Sequence, residues 1–191
     1  KRRAKKVITA TGSWERPLIL DNNDRPGILL SSAINKYASL FGVVCGEKNI
    51  LFTNNDSAYE TAANLFRKGI GIEAIIDNRE EIDSKLIKES EKNNIKIYKG
   101  YTIVDTYGYK RINKISIMQL SKDGQKVIGS KISIPCDCLG ISGGWTPSVH
   151  LFTQSGGKLK FRDDDQVFVP NTYPSDQISV GSCKGDFTLD E

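Results

Sequence analysis

The sequence predicts an α/β fold with a parallel sheet, and three observations support this. Between residues 49 and 99, short apolar runs alternate with helical patterns in the order strand, helix, strand, helix, strand. Such alternation is typical of parallel strands joined by right-handed crossovers. From 102 to 134 the apolar residues recur at every second position, which predicts an antiparallel meander of three strands. The chain has 191 residues, enough for one domain or two small ones.

The first predicted helix follows a turn-rich stretch, DNNDRPG, which combines asparagine, aspartate, proline and glycine. Apolar residues at helical spacing predict this helix from 28 to 41, and Gly42 is a natural end for it. The alternating segment then predicts strands at 49–53, 72–77 and 95–99, with helices at 57–68 and 82–93 between them.

The later elements are marked by turn residues and short apolar runs. Asp123-Gly124 is the strongest hairpin signal in the chain and lies inside the predicted meander. An apolar strand is expected at 138–141, and Pro147 suits the first turn of a short helix that ends at Phe152. The three aspartates at 163–165 are expected in a solvated turn between two short strands, because the spaced acids of a calcium loop are missing.

Composition and charge exclude several classes of function. No run approaches the roughly 18–20 apolar residues that cross a bilayer, and no signal peptide is present, so no membrane is expected and the expected location is the cytoplasm. The net charge is +4, and much of it lies in the opening KRRAKK. No aromatic residues interleave with these charges, so a solvated strand edge is a better interpretation than a nucleic-acid arm.

The cysteines and the histidine do not predict a metal site. Cys45, Cys136, Cys138 and Cys183 have neither a CxxC pair nor the spacing of a zinc site, and the single histidine cannot complete one. Cys136 and Cys138 lie in an apolar run, IPCDCLGIS, where alternate side chains share one face of a strand. Two interpretations stay open for this pair, namely packing and a redox pair.

The turn from Thr53 to Ala58 has the frame of a dinucleotide site without its glycines. In a functional site, three glycines allow a tight turn and close approach of the pyrophosphate to a helix N-terminus. Here Thr53, Asn55 and Ala58 occupy the three places. Asp56 adds a negative charge where a diphosphate would lie, so the sequence of this turn opposes binding.

Two interpretations of this turn follow. Ser57 and Glu60 fit a capping box, which would satisfy the free N–H groups of the helix, so the turn keeps the scaffold of the site and has lost the ligand. The alternative is atypical nucleotide binding by Asn54 and Asn55. Asp77 would assist it, because this residue ends the second strand, where the ribose-binding acid of such sites lies.

Five motifs occur in order along the chain: ATGSWERPL, NDRPG, TNNDSAYETA, SGGWTPSVHLFTQSGGKL and VGSCKGDF. In this order and spacing they resemble the alpha subunits of heterotetrameric sarcosine oxidases, from Ala4 to Leu189. The resemblance implies a Rossmann-like FAD/NAD(P)-binding fold into which a second dinucleotide-type domain is inserted. Residues 1–41 and 136–191 would be part of the first, NAD-binding domain, and 42–135 the insert with its degenerate glycine loop. The chain would then be an internal fragment.

The resemblance also implies a function. In that family the complex oxidises sarcosine to glycine and hydrogen peroxide, and the one-carbon unit passes to tetrahydrofolate or is released as formaldehyde. NAD is implied in the first domain, incomplete here, with FAD and FMN in the complete complex. The implied partners are a flavin-binding beta subunit and smaller subunits. The chain would be a scaffold with the NAD-binding fold, inactive by itself. The alternatives are a related amine or opine oxidase, a hydrogen cyanide synthase subunit, and a non-catalytic interaction module of a flavoenzyme complex.

Two segments are implied to lie near the nucleotide of the first domain, and the candidate cofactor-binding residues are Ala10, Thr11, Gly12, Gly181, Ser182 and Cys183. Small residues there would let the backbone approach a ligand. From the residues alone, a strand end followed by a turn is the simpler interpretation of 10–12, and Lys184 either assists a phosphate or is solvated. No residue is a candidate catalytic acid, base or nucleophile, because Ser148 and His150 lack a nucleophile elbow.

Overall fold

The computed structural model describes residues 4–188, so the first three residues of KRRAKK and residues 189–191 lie outside the described part of the chain. The strands are β1 (Val7–Thr9), β2 (Ser13–Glu15), β3 (Ile28–Leu30), β4 (Asn49–Thr53), β5 (Ile72–Asp77), β6 (Lys96–Lys99), β7 (Tyr101–Tyr107), β8 (Lys114–Leu120), β9 (Val127–Pro135), β10 (Cys138–Ser142), β11 (Trp145–Pro147), β12 (Lys158–Arg162), β13 (Val167–Thr172) and β14 (Gln177–Ser179). The helices are α1 (Ser31–Phe41), α2 (Ser57–Arg67), α3 (Ser84–Lys92) and α4 (His150–Gln154), with one 3-10 turn at Gly181–Cys183.

The chain divides into two compact units. The larger unit comprises residues 16–144, and the smaller unit comprises residues 4–15 and 145–188 of the described part of the chain.

The larger unit is built on a five-stranded parallel sheet with the order β3-β10-β4-β5-β6. Every residue of β4 and β10 is buried, which is typical of strands that are covered on both faces. One face packs against the helices through a cluster that includes Ile34, Leu65 and Ile75. The other face packs against the meander through Phe52, Ile115 and other apolar residues. The predicted βαβαβ sheet is confirmed.

The predicted meander is confirmed as the antiparallel sheet β7-β8-β9. Its β8–β9 turn contains Asp123 and Gly124, and Gly124 has a φ of 67°. The turn is closed by a hydrogen bond of 2.8 Å from the Ser121 N–H to the Lys126 carbonyl. An aspartate–glycine pair therefore marks this hairpin, as the sequence predicts.

Residues 28–30 differ from their prediction, because they form strand β3 and the helix begins only at Ser31. The end of the helix is as predicted, since Gly42 takes a left-handed conformation with a φ of 63°. The three apolar residues of β3 pair with Leu139–Ile141 of β10 in a parallel register. A short apolar run next to a helix has no periodicity that separates a strand from a helix. The sequence therefore predicts the start of the helix three residues too early.

The observed division corrects the predicted domain boundaries. Strand β3, helix α1 and strand β10 were assigned to the first domain, but β10 lies between β3 and β4 in the five-stranded sheet of the larger unit. Hydrogen bonding of β10 to both neighbours makes these segments part of that sheet. The boundaries expected near 41/42 and 135/136 therefore move to 15/16 and 144/145.

In its described residues the smaller unit contains three strand pairs. Strands β1 and β14 are parallel. The pairs β2–β11 and β12–β13 are antiparallel. The aspartates at 163–165 lie in the turn between β12 and β13, as predicted. The predicted short helix begins later than expected, because Pro147 ends strand β11 and α4 begins at His150.

The cysteine pair is placed differently from the prediction. Cys136 packs in the core cluster between the sheet and the meander, whereas Cys138 packs in the cluster on the helical side. The two thiols therefore do not share a face, because the chain turns between Cys136 and the start of β10. Burial raises the pKa of each to about 12, so both are neutral thiols. All four cysteines are free.

The described part of the chain was searched for membrane-spanning helices and for clusters of metal-binding side chains. Among residues 4–188, no helix combines the length and the apolar character that are needed to cross a bilayer. Within the same range, histidine, cysteine, aspartate and glutamate side chains form no group of three that could hold a metal ion.

Candidate functional site

The six predicted cofactor-binding residues lie at one edge of the smaller unit. Strands β1 and β14 are parallel, with Thr9 opposite Ser179, so their carboxyl ends meet at the same edge. Ala10–Gly12 follow β1 directly, and the 3-10 turn Gly181–Cys183 follows β14 after one residue. In open parallel sheets, ligands bind outside the carboxyl ends of the strands, which is where these two segments lie.

Hydrogen bonds tie the two segments together. The Thr9 carbonyl accepts from the Val180 N–H at 3.0 Å and from the thiol of Cys183 at 3.1 Å. Cys183 is buried, and its thiol also contacts the Val180 carbonyl at 3.2 Å. The thiol of Cys183 therefore anchors this edge, and a contact of the residue with a ligand stays a prediction.

The segment after β1 is fixed by Ser148, which precedes α4. The Thr11 hydroxyl donates to the Ser148 carbonyl at 2.7 Å, and the Ser148 N–H donates to the Gly12 carbonyl at 2.9 Å. Sequence reasoning missed this role of Ser148, because a backbone pairing over that distance in the chain leaves no local pattern. The Thr11 hydroxyl is thus engaged within the protein.

Gly12 and Gly181 leave open space at this edge. Their φ angles are 74° and 66°, in the left-handed region that favours glycine. A Cβ placed on Gly12 would have the Ser182 hydroxyl as its nearest neighbour at 4.0 Å, and a Cβ on Gly181 would meet nothing within 4 Å. A ligand backbone or ring could therefore approach the main chain closely at both positions.

The cation next to these segments is paired inside its own loop. The Lys184 ammonium lies 2.8 Å from the carboxylate of Asp186. Asp186 was not among the predicted residues, although it stands in the quoted motif VGSCKGDF. This edge therefore offers a ligand the Ser182 hydroxyl, the backbone at Gly12 and Gly181, and a neutralised ion pair.

The second edge of interest is in the larger unit, where β10, β4 and β5 end side by side. Ser142, Thr53 and Asp77 are direct neighbours in register there. The Asn55 side chain fills the turn that follows β4. Its amide donates to the Ser142 carbonyl at 3.1 Å, and its oxygen accepts from the Ser57 N–H at 3.1 Å. The amide of Asn55 therefore occupies the space that a glycine would leave to a phosphate.

Asp77 is fully buried at this edge and is engaged by two side chains. Its carboxylate accepts from the Tyr59 hydroxyl at 3.0 Å and from the Arg79 guanidinium at 2.9 and 3.1 Å. Arg79 also lies 2.7 Å from the carboxylate of Asp56. The predicted alternative, in which Asp77 binds a ribose, is not supported, because Tyr59 and Arg79 occupy its oxygens.

The electrostatics of this cluster follow from its burial. Burial raises the pKa of the Tyr59 hydroxyl, and the negative charge and hydrogen bond of Asp77 raise it further. Burial lowers the pKa of Arg79, but the hydrogen bonds and charges of Asp77 and Asp56 outweigh it, so its net pKa is raised. The cluster is a closed set of two carboxylates, one guanidinium and one neutral phenol.

The predicted capping box is absent from α2. Asp56 is the residue before the helix and makes no side-chain capping bond. The Ser57 hydroxyl donates to the Asn55 side-chain oxygen at 2.6 Å, and that oxygen also caps the Ser57 N–H. Asn55 therefore caps this helix, where the sequence predicted Ser57 and Glu60. A diphosphate does not fit here, because the N–H of Ser57 is taken and the charged groups nearby sum to one negative charge.

The chain is similar to curated proteins along nearly all of its length. It is 34% identical over 187 residues to sarcosine oxidase subunit alpha of Corynebacterium sp. (strain P-1), which is 97% of this chain and 19% of the relative. It is 31% identical over 182 residues to the subunit alpha of Rhizobium meliloti (strain 1021), which is 95% of this chain and 16% of that relative. The chain thus spans about a fifth of the length of these relatives. No protein-family model matches it.

Solved structures share the fold. Thioredoxin reductase from T. acidophilum has a TM-score of 0.70 at 18% identity and covers 98% of this chain and 60% of its own. L-proline dehydrogenase from P. horikoshii has a TM-score of 0.64 at 19% identity and covers 94% of this chain and 30% of its own. An FAD-dependent pyridine nucleotide-disulphide oxidoreductase from Desulfovibrio vulgaris has a TM-score of 0.64 at 15% identity. The match covers 95% of this chain and 46% of that structure.

The TM-scores confirm the predicted Rossmann-like α/β fold, whereas the identities are too low to transfer an activity or a ligand. The sequence similarity is more specific. Over nearly its whole length, the chain is similar to one segment of the sarcosine oxidase alpha subunits, as the five sequence motifs predicted.

Proposed function

We propose that this chain is part of a sarcosine oxidase alpha subunit, in which the smaller unit supplies one edge of an NAD site and the larger unit is a scaffold. The observation that carries the proposal is the juxtaposition of Ala10–Gly12 with Gly181–Cys183 at the carboxyl ends of two parallel strands. The similarity to the alpha subunits supports the choice of reaction.

NAD would fit this edge because a dinucleotide must approach the backbone closely. Gly12 and Gly181 leave room for it, and Ser182 adds a hydroxyl beside Gly12. The smaller unit has no G-x-G-x-x-G motif, so the groups that bind the pyrophosphate are expected elsewhere in the complete subunit. When bound, NAD supplies hydride transfer; the residues described here would position it and do no chemistry of their own.

The remaining parts of the proposal concern the complete protein. Sarcosine would be oxidised at a flavin held by a beta subunit, with FAD and FMN in the complex and smaller subunits completing it. The one-carbon unit would pass to tetrahydrofolate or leave as formaldehyde. A cytoplasmic location stays a prediction.

The NAD site is tested with two matched glycine variants in the assembled complex. Gly181→Val places a branched side chain in the open space next to the candidate site, and Gly156→Val does so at another open, positive-φ position of the smaller unit. Gly156→Val forces a branched residue to a φ of 95°, at least as strained as the 66° of Gly181, so it controls for loss of stability. We expect Gly181→Val to lower the NAD content of the purified complex and Gly156→Val to leave it unchanged. Equal NAD content in the two variants contradicts the proposed site.

Substrate class is tested by activity of the same complex. Peroxide formation with sarcosine, compared with opines and other secondary amines, separates the proposed oxidase from its relatives. Turnover of an opine or another amine in preference to sarcosine contradicts the proposed reaction and leaves the NAD site standing. Absence of a flavin-binding partner on purification contradicts the proposed complex.

A further inference from the structure

We propose that Arg162 positions the loop Gly181–Asp186 and thereby sets the NAD-binding edge of the smaller unit. The inference rests on the proposed function, because this loop carries three of the six candidate contacts. Arg162 acts on the loop through its bond to the Gly185 carbonyl, two residues after Cys183.

Arg162 reaches the loop from the end of strand β12. Its guanidinium donates to the carbonyl of Gly185 at 2.8 Å. The Nε–H of Arg162 donates to Oδ1 of Asp165 at 2.7 Å. The Nη2 atom, which also donates to Gly185, lies 2.5 Å from Oδ2 of the same carboxylate. Such a two-point pairing fixes the plane of the guanidinium, so the remaining N–H points in a defined direction. Asp165 thus aims Arg162 at the loop.

Gly185 is matched to this contact. Its φ is 103°, and a Cβ placed there would lie 2.8 Å from a methyl group of Val169 and 3.1 Å from both terminal nitrogens of Arg162. The main chain can approach the guanidinium this closely only because position 185 has no side chain. The ring of Phe187 lies 5.7 Å from the guanidinium carbon, which adds a cation–π contact on the same segment.

The loop is therefore held at two points. The Cys183 thiol ties its first half to the Thr9 carbonyl, and Arg162 ties its second half to the β12–β13 hairpin. Within the loop, the Lys184 N–H donates to the Gly181 carbonyl at 2.8 Å, whereas the two bonds that follow are longer: 3.2 Å from the Gly185 N–H to the Ser182 carbonyl and 3.4 Å from the Asp186 N–H to the Gly181 carbonyl. The half of the loop that Arg162 contacts is therefore the half with the longer local bonds. Without Arg162 the loop would sample more conformations, and a ligand would have to order it on binding.

The test uses Arg162→Gln and Arg162→Lys, with Arg67→Gln as a control that removes the same charge from the exposed end of α2 in the larger unit. Two properties are measured: amide hydrogen exchange of residues 184–186 in this chain, and the affinity of the assembled complex for NAD. We expect Arg162→Gln to speed exchange at 184–186 and to weaken NAD binding about 10-fold, the effect of losing one hydrogen bond from a charged donor. Arg162→Lys should recover part of both, and Arg67→Gln should change neither.

A purely structural role predicts a different pattern, in which exchange rises along the whole β12–β13 hairpin as well as in the loop. That pattern, or unchanged exchange at 184–186 in Arg162→Gln, overturns the proposal. If Arg162→Gln does not fold, Asp165→Asn replaces it, because it weakens the pairing that aims Arg162 and keeps the guanidinium. A smaller change of the same sign is expected, and no change overturns the proposal.

The outcomes for NAD separate this inference from the proposed function. If Gly181→Val weakens NAD binding and Arg162→Gln does not, the positioning role is wrong and the NAD site stands. If neither variant affects NAD, the NAD site itself is wrong, while the exchange measurement still decides whether Arg162 orders the loop.

Discussion

Asn55 and Asp56 are neighbours in one turn, yet they differ in what they contribute to stability. Asn55 caps α2 and bonds to the Ser142 carbonyl, whereas Asp56, whose side chain is 56% exposed, makes an ion pair with Arg79. We expect Asn55→Ala to lower the free energy of unfolding by about 1–3 kcal/mol, because a buried carbonyl loses its partner. Asp56→Ala should cost only about 0–1 kcal/mol, since exposed pairs are screened. Urea unfolding of both variants checks this, and equal losses would contradict it.

The buried thiols make stability depend on alkaline pH. Burial raises the pKa of Cys136 and Cys138 to about 12, whereas the unfolded thiols titrate near 9.0. A raised pKa in the fold means that the thiols' contribution is complete below pH about 9 and is lost as the pH rises towards 12. Each thiol should contribute a slope of about 1.4 kcal/mol per pH unit in that window. The Cys136→Ala/Cys138→Ala variant should show a shallower fall of stability between pH 9 and 11; an unchanged slope would show that other groups are responsible.

At the residue scale, the sequence shows which segments follow strands but does not show which side chains contact one another. The family resemblance selected segments 10–12 and 181–183, and their role in cofactor binding stays a prediction. The roles of Arg79 and Arg162 could not be predicted, because each depends on partners that only the fold brings near: Asp77 and Asp56 for the first, Gly185 for the second. A single sequence shows that a residue is charged but does not show which residue it pairs with.

Among the structural elements, the meander gives a sharp comparison between two glycines. Gly108 and Gly124 both have positive φ angles, 133° and 67°. A Cβ on Gly108 would lie 1.9 Å from the Arg111 carbonyl oxygen, whereas a Cβ on Gly124 would meet nothing within 4 Å. We expect Gly124→Ala to cost about 1 kcal/mol from backbone strain alone, and Gly108→Ala to cost several times more. Thermal unfolding measures both, and similar costs would mean that the loop at 108 adapts.

The elements that sequence predicted well have strong periodicity and clear ends. Strands β4 and β5 have the predicted bounds, and α2 ends one residue earlier than expected. Strand β3 was missed because three apolar residues have no period, and its identity comes from pairing with β10, far along the chain. The same long-range pairing moved the domain boundaries, since β10 completes a sheet that begins before it.

At the scale of the molecule, both units expose large apolar side chains. Ile8 in the smaller unit is 65% exposed, and Leu40 and Phe41 at the end of α1 are 67% and 64% exposed. Exposed apolar clusters favour association. We expect the chain to self-associate at micromolar concentrations, and Leu40→Lys with Phe41→Lys to reduce it. Sedimentation velocity over a range of concentrations tests this, and a clean monomer of the original chain would contradict it.

The side chains of Asn55, Asp77 and Arg79, at the ends of β4 and β5, also bear on how this protein depends on the supply of nucleotide in a cell. A fold that binds its cofactor gains stability in proportion to the logarithm of the cofactor concentration, and it weakens when the cofactor runs short. The larger unit has its own side chains where such a ligand would lie. The folding equilibrium of the larger unit should therefore not depend on the nucleotide concentration, so this unit should stay folded whether or not nucleotide is available.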